Sequence, residues 1–207
     1  MNYLAHILLA HKTGTSKTGN FLGDFVRGNV QSSGLPPDIQ LGIMLHRKID
    51  SFTDAHPITR NSRNCINATR RRFAGIIIDL AYDHFLARHW HAYCDVSIDE
   101  LTDQFYFELA NHQPHLPESS QTMVSHLLEN RWLTEYQTMD GISRGLNGIA
   151  RRYQNKFNRK IPLTRASEEI EKNFTQLEQD FKCFFPQLIQ YSHNVARTYN
   201  ESMLFNS

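Results

Sequence analysis

Residues 76–86 read Ile-Ile-Ile-Asp-Leu-Ala-Tyr-Asp-His-Phe-Leu, and this stretch decides the fold. Apolar residues occupy nearly every side of a helix drawn through it, which is typical of a helix buried all round. Yet Asp79 and Asp83 stand four residues apart, so they share one face of that helix. Two ionised carboxylates facing each other in a core are costly. Either one is protonated, or a cation lies between them, or an arginine from the 60–72 stretch pairs with them.

The rest of the chain also has the periodicity of helices. No run of alternating β-branched residues occurs, and no Asn-Gly or Asp-Gly turn joins two such runs. We therefore predict an all-α protein: a single helical domain over residues 1–207, with its site in residues 1–93 and a helical C-terminal part over 98–200. Pro186 is expected to kink or restart the last helix. A loop is predicted over 13–19, and helices over 2–11, 37–54, 69–93, 98–111, 119–129 and 132–149.

Composition excludes several classes of protein. The formal net charge of the 207 residues is only +1, which argues against binding nucleic acid through bulk charge. The three cysteines are scattered and form no C-x-x-C pair, so they indicate neither a disulfide framework nor a thiolate zinc site. The opening residues lack the basic stretch of a signal peptide, and their apolar run is too short to span a bilayer. We expect a cytoplasmic protein with no nucleic-acid or membrane partner.

The helix predicted after Pro37 carries a second acidic group on an apolar face. Ile39, Ile43, His46 and Asp50 follow one another at helical spacing and so share that face. The isoleucines should turn it inward, which places Asp50 in or beside the core, where an ionised carboxylate needs a partner. That partner is a cation, an arginine or a metal, or else Asp50 forms a structural pair with His46 one turn away.

Two further groups complete a candidate metal site. Asp24 lies in a loop between Gly23 and Gly28. Loops run over the protein surface, so a carboxylate in a loop is more often positioned to bind a ligand than buried. His6 lies one turn from Asn2 and by itself would more often be a core histidine. A divalent cation with oxygen and imidazole ligands satisfies all these carboxylates together. The predicted ligands are His6, Asp24, His46, Asp50, Asp79 and Asp83.

These motifs resemble those of the bacterial acyl carrier protein phosphodiesterase family. The resemblance covers at least residues 1–155, in the same order and at similar spacing. A segment of the family's C-terminal half, Leu-Asn-Gly-Ile-Ala-Arg-Arg over 146–152, also matches. The four linked motifs are Asn-Tyr-Leu-Ala-His over 2–6, Gly-Asn-Phe-Leu-Gly-Asp-Phe-Val-Arg-Gly over 19–28, the block 46–54 and the block 79–86.

The resemblance implies an activity and a cofactor. Members of this family remove the 4′-phosphopantetheine arm from holo acyl carrier protein and use Mn²⁺. The family is similar to the His-Asp metal-dependent phosphohydrolases, which are helical bundles, so the same architecture is expected here. Asp24 is the ligand that the resemblance transfers most directly. The His-Asp doublet of the wider superfamily occurs here only in reversed order, as Asp83-His84.

Phosphodiester hydrolysis requires an activated water, neutralised phosphoryl oxygens and a proton for the leaving group. The predicted catalytic residues are Asp24, His84 and Arg27, with His89 as a second available acid. Arg47 and Lys48 lie beside the motifs and are further candidates for neutralising the phosphoryl charge. The alternative for the basic residues is a solvated surface charge. Two other functions also stay open, namely a nucleotide phosphohydrolase of the His-Asp class and a non-catalytic helical binding protein.

Two stretches of the chain are basic and contain no Asp or Glu. Residues 144–165 carry seven basic residues, and residues 55–78 carry five arginines. Because acyl carrier proteins are strongly acidic, such stretches can steer docking of the protein substrate. They can equally be solvated faces or attract nucleic acid. The predicted partner-binding residues are Arg70, Arg71, Arg72, Arg151 and Arg152.

Overall fold

The computed structural model describes the backbone of residues 1–204 and the side chains of residues 1–199, and within that range it is helical with no strand. The predicted all-α fold is confirmed. The end of the predicted domain, residues 205–207, lies outside the described part of the chain. The helices are α1 (Tyr3–Thr13), α2 (Lys17–Leu22), α3 (Pro37–Ala55), α4 (Pro57–Asn64), α5 (Ala74–Arg88), α6 (Ile98–His112), α7 (Glu118–Asn130), α8 (Met139–Phe157), α9 (Ser167–Lys172) and α10 (Phe174–Leu204).

Helix α5 lies at the centre of the molecule, as its apolar sequence predicts. It packs against α1, α4, α8 and α10. Ile77, Leu80, Tyr82 and Phe85 are essentially inaccessible to solvent. Burying a large apolar side chain contributes about 1.5–3 kcal/mol relative to leaving it exposed. This central helix is therefore the frame on which α1 and α8 are placed.

Helices α2 and α3 approach each other unusually closely, and glycine permits it. A Cβ atom at Gly42 would lie 2.8 Å from the Cα atom of Gly19, closer than real Cβ atoms come to any neighbour. The predicted loop over 13–19 is wrong at its end, because α2 already begins at Lys17. Its N-cap is Ser16, whose Oγ accepts a hydrogen bond from the Gly19 N–H at 2.9 Å.

Other predicted helices also differ from the structure. The helix predicted over 69–93 is three elements, with 3₁₀ turns over 68–73 and 90–92 on either side of α5. The helix predicted over 132–149 divides into a 3₁₀ segment over 132–137 and α8. Helix α4 was not predicted, because its eight residues are almost entirely polar. Helix α10 continues through Pro186 without an interruption. None of the helices described is long and apolar enough to cross a bilayer.

Candidate metal centre

Three of the predicted ligands come together where α1 meets α3. The Nε2 atom of His6 lies 3.1 Å from Asp50 Oδ1, and the Nε2 atom of His46 lies 3.0 Å from Asp50 Oδ2. The two imidazole rings stack with centroids 4.0 Å apart. Ile39 and Ile43 are buried and turn this face of α3 inward, as their spacing predicts. One carboxylate thus bridges two buried imidazoles.

Asp24 joins the same group from the loop after α2. Its Oδ1 lies 3.5 Å from His46 Nε2, and its side chain is 51% exposed, so this carboxylate faces open space. The loop is fixed by Arg47, which donates to the carbonyl oxygens of Val26 at 2.7 Å and of Gly28 at 2.8 Å. Arg47, a candidate for neutralising phosphoryl charge, therefore holds the loop that carries Asp24.

The charges within this group are unequal. Burial lowers the pKa of the His46 imidazole, but hydrogen bonds to Asp24 and Asp50 outweigh burial and raise that pKa to about 9. Burial and the neighbouring His46 lower the pKa of His6 to about 4. Burial raises the pKa of Asp50, but the two histidines outweigh it and hold the pKa below its ordinary value. His46 is thus the protonated member of the group, and it lies between the carboxylates of Asp24 and Asp50.

The donor set fits a divalent ion. The nearest available ligand atoms of His6, His46 and Asp50 all lie within 4.8 Å of one another. Two ligands of one transition-metal ion, each at roughly 2.0–2.2 Å, lie at most about 4.4 Å apart. A displacement of a few tenths of an ångström would therefore let these atoms share an ion. A bound ion would take the place of the proton on His46.

Asp79 lies beside this group without touching an imidazole. Its Oδ1 is 3.4 Å from the amino nitrogen of Met1, and that nitrogen is also 3.4 Å from Asp50 Oδ1. Burial raises the pKa of the Asp79 carboxyl, and the Met1 ammonium opposes that shift. The structure therefore places Asp79 next to Asp50, with a cation between them.

Asp83 has a different partner, which the sequence did not reveal. Its two carboxylate oxygens accept the backbone N–H groups of Leu4 at 2.9 Å and Ala5 at 3.1 Å. These are unsatisfied donors of the first turn of α1, so Asp83 caps that helix from α5. Burial raises the pKa of Asp83 to about 7, against these two hydrogen bonds. Both oxygens of Asp83 thus bond the helix that carries His6, and the structure does not bring Asp83 into the cluster of His6, His46 and Asp50.

The two predicted imidazole acids also face away from the metal centre. His84 is buried, and its Nδ1 lies 2.8 Å from the carbonyl oxygen of Tyr136. His89 is paired with Glu178 at 2.8 Å. Successive residues of a helix project in different directions, so a cap made by Asp83 turns His84 elsewhere. Arg27 is exposed, and it does not line the cleft described next.

A cleft of about 980 Å³ opens beside the cluster. Asp24, Asp50 and Asp79 lie on one side of it, and α7 and α8 form the other. Several residues of that wall were not predicted from the sequence, and His126 is one of them. Its Nδ1 accepts a hydrogen bond from the indole N–H of Trp132 at 3.3 Å. The basic residues that line the cleft are Arg144, Arg151, Arg152 and Lys156.

The two predicted docking stretches differ in the structure. Arg151 and Arg152 line the cleft, as a docking function requires. Arg70 instead bonds Glu169 and two carbonyl oxygens, and Arg71 bonds the side chain and carbonyl of Asn64. These contacts engage the guanidinium groups of Arg70 and Arg71, and neither residue lines the cleft. Arg72 is exposed, and the described residues provide it no ion pair.

An all-α protein with buried His and Asp side chains beside a cleft edged by arginines has the features of a hydrolase for phosphate esters. Comparison with known proteins gives the family. The family model described as acyl carrier protein phosphodiesterase matches residues 1–188. This chain belongs to that family.

Full-length relatives support the assignment. An acyl carrier protein phosphodiesterase of Yersinia pestis is 34% identical over 94% of this chain and 98% of its own length. One from Escherichia coli O6:K15:H31 is 36% identical over 95% of this chain and 100% of its own length. One from Klebsiella pneumoniae is 38% identical over 94% of this chain and 98% of its own. No solved structure matches this chain, so the resemblance to the His-Asp phosphohydrolase bundle stays a prediction.

Proposed function

We propose that this protein is a metal-dependent phosphodiesterase that removes 4′-phosphopantetheine from holo acyl carrier protein. The observation that carries the proposal is the cluster of His6, His46 and Asp50 beside a cleft with a basic edge. Relatives matched over nearly their whole length bear the name acyl carrier protein phosphodiesterase. The protein substrate and the phosphodiester bond follow from that name, and the cluster supplies a place for the metal.

His6, His46 and Asp50 would hold the ion, with Asp24 as a further carboxylate next to His46. Imidazole and carboxylate ligands suit Mn²⁺, which the family resemblance implies. When bound, the ion supplies an activated water and polarises the phosphoryl group. Asp24 is the exposed member of the group, so its free carboxylate oxygen could serve as the general base of the cleft.

The basic edge of the cleft supplies the complementary charge. Arg151 and Arg152 come from α8, on the wall opposite the carboxylates, and can neutralise the non-bridging phosphoryl oxygens. Apolar groups of the same cleft, among them Met123 and Ile149, can pack against the methyl groups and methylenes of the pantetheine arm. The arm would thus lie along α8 with its phosphate toward the metal.

A proton donor for the serine leaving group must also line the cleft. His84 does not, whereas His126 does. Because Nδ1 of His126 accepts the Trp132 N–H, Nε2 is the ring nitrogen that can present a proton to the leaving group. We therefore assign the general acid to His126 in place of His84.

The test is incubation of the purified protein with holo carrier protein and Mn²⁺, followed by intact-mass measurement. We expect the carrier to lose the mass of 4′-phosphopantetheine. Asp50→Asn should abolish the loss, whereas the matched change Asp38→Asn, at the exposed first turn of the same helix, should leave it intact. Hydrolysis of nucleotides with no change in the carrier would establish the nucleotide phosphohydrolase alternative. Absence of bound metal and of any turnover would favour the non-catalytic one.

A further inference from the structure

A second depression, of about 740 Å³, lies along α8 next to the cleft. We call it the α8 groove, and it is lined by Arg144, Asn147, Ala150, Arg151, Gln154, Lys160, Ile161 and Thr164. Three of these side chains are cationic, three are neutral hydrogen-bonding groups, and none is a carboxylate. This composition suits a ligand that carries negative charge.

The α8 groove is continuous with the catalytic cleft. Residues 144, 147, 151 and 154 follow one another at helical spacing and form one stripe of α8. Residues 145, 148, 152 and 155 form the neighbouring stripe, which lines the cleft. Arg144 and Arg151 line both depressions. A ligand bound in the α8 groove can therefore contact side chains that also line the cleft.

The opposite wall of the groove is held in place. It consists of residues 158–166, which connect α8 to α9. Arg70 donates to the carbonyl oxygens of Pro162 at 3.0 Å and Thr164 at 3.3 Å, and it pairs with Glu169 at 3.0 Å. Leu163 is fully buried and anchors the segment from inside. Arg70, expected from its sequence to bind a partner, thus supports the wall of the groove.

The cations of the groove are available to a partner. Arg151 and Lys160 form no ion pair with any described residue, and neither does the adjacent Arg159. Arg144 pairs with Glu135, but both side chains are largely exposed. Unpaired like charges on one surface repel each other, so an acidic surface placed there gains attraction and relieves the repulsion.

We propose that the α8 groove receives carboxylate side chains of the carrier protein, so that the phosphopantetheine arm passes over Arg144 and Arg151 into the cleft. This inference rests on the proposed function. It assigns docking to the outer stripe of α8 and the segment after it, and it gives Arg70 the role of supporting that segment. The groove orients the protein substrate, and the cleft performs the chemistry.

The test is charge reversal at Lys160, which lines the groove but not the cleft. KM for holo carrier protein should rise roughly three- to tenfold, since a reversal replaces an exposed attraction with a repulsion. The same variant, Lys160→Glu, should lose far less activity on bis-p-nitrophenyl phosphate, a small diester that does not need the groove. Arg60→Glu is the matched control, because Arg60 is an exposed arginine outside both depressions, and its KM for the carrier should stay at the wild-type value.

Three results would overturn the inference. The first is an unchanged carrier KM in Lys160→Glu, with wild-type enzyme active on the carrier. The second is an equal loss of activity on the carrier and on the small diester, which would show that Lys160 stabilises the fold and does not dock the carrier. The third is weaker binding of a single-stranded oligonucleotide by Lys160→Glu while its affinity for the carrier stays at the wild-type value. That result would assign the groove to nucleic acid. Inactivity of the wild-type protein on the carrier would instead refute the proposed function itself.

Discussion

The sharpest prediction concerns Gly23, which lies directly beneath the His46 ring. Its backbone has φ −54° and ψ −32°, a conformation open to any residue, so a substitution there strains no dihedral angle. A Cβ atom at Gly23 would lie 2.1 Å from His46 Cγ and 2.2 Å from Cδ2. Ordinary carbon contacts are about 3.5–4.0 Å. Gly23→Ala therefore has to displace the imidazole by roughly 1 Å or more.

A displacement of that size exceeds what a metal site tolerates, since ligand distances hold to within about 0.2 Å. Disturbing an outer contact of a metal site already costs roughly 10–100-fold in affinity. Moving a ligand itself should cost at least about 100-fold, or about 2.7 kcal/mol of binding free energy. Overpacking should also lower the free energy of unfolding by about 1–3 kcal/mol.

The assay is Mn²⁺ titration by calorimetry, with thermal melting and carrier hydrolysis alongside. Gly75→Ala is the matched control, because a Cβ there meets nothing closer than 3.8 Å and its helix should gain up to about 1 kcal/mol. The decisive measurement is a double-mutant cycle with His46→Ala. With the ring removed, the close contact is limited to the Cβ atom of residue 46, at 2.7 Å, so Gly23→Ala should cost clearly less than in the wild type. An equal loss of stability in both backgrounds, or unchanged Mn²⁺ affinity in Gly23→Ala alone, would show that the substitution does not act through the His46 ring.

Other consequences of the site can be checked with the same protein. Because a bound ion displaces the proton of His46, whose pKa is about 9, the apparent Mn²⁺ association constant should rise roughly tenfold per pH unit from about pH 7 to pH 9 in calorimetric titrations. Chelator should lower the Tm of the Mn²⁺-loaded wild type but not of Asp50→Asn; an insensitive wild type would contradict a bound metal. Asp83→Asn should cost about 1–3 kcal/mol in denaturant unfolding, since its amide donor would face a backbone N–H, yet the folded variant should still bind Mn²⁺. His126→Gln should reduce kcat on the carrier by roughly 100-fold or more, and His84→Gln by far less; the reverse order would restore His84 as the acid.

The part of the site on α3 was predictable because it depends on one helix. His46 and Asp50 stand four residues apart on a face that Ile39 and Ile43 turn inward, so local spacing alone places both groups in the interior. The all-α fold follows from similar local evidence along the chain. What spacing could not provide was the partner of each group. His6 reaches Asp50 across 44 residues of sequence, a contact that only packing determines.

Contacts with backbone groups were the hardest to predict. Residue spacing indicates which side chains can lie near Asp83, but it does not place main-chain N–H and C=O groups. The N-cap residue of α1, Asn2, makes no side-chain cap and bonds Tyr136 instead, so the helix takes its cap from α5. Arg70 likewise bonds carbonyl oxygens about 90 residues away. Such partners appear only once the helices are assembled.

The cap made by Asp83 also bears on the metal centre. His6 lies in the first turns of α1, whose N-terminus carries the positive end of the helix dipole, and that charge disfavours a cation by roughly 0.3–1 kcal/mol. The negative charge of the Asp83 carboxylate lies at the N-terminus of α1 and offsets this unfavourable effect on the cation. Conversely, a bound ion would favour ionised Asp83 and lower a pKa that burial has raised to about 7. Asp83 would therefore support the ion as a counter-charge and as the anchor of His6, without a bond to the metal.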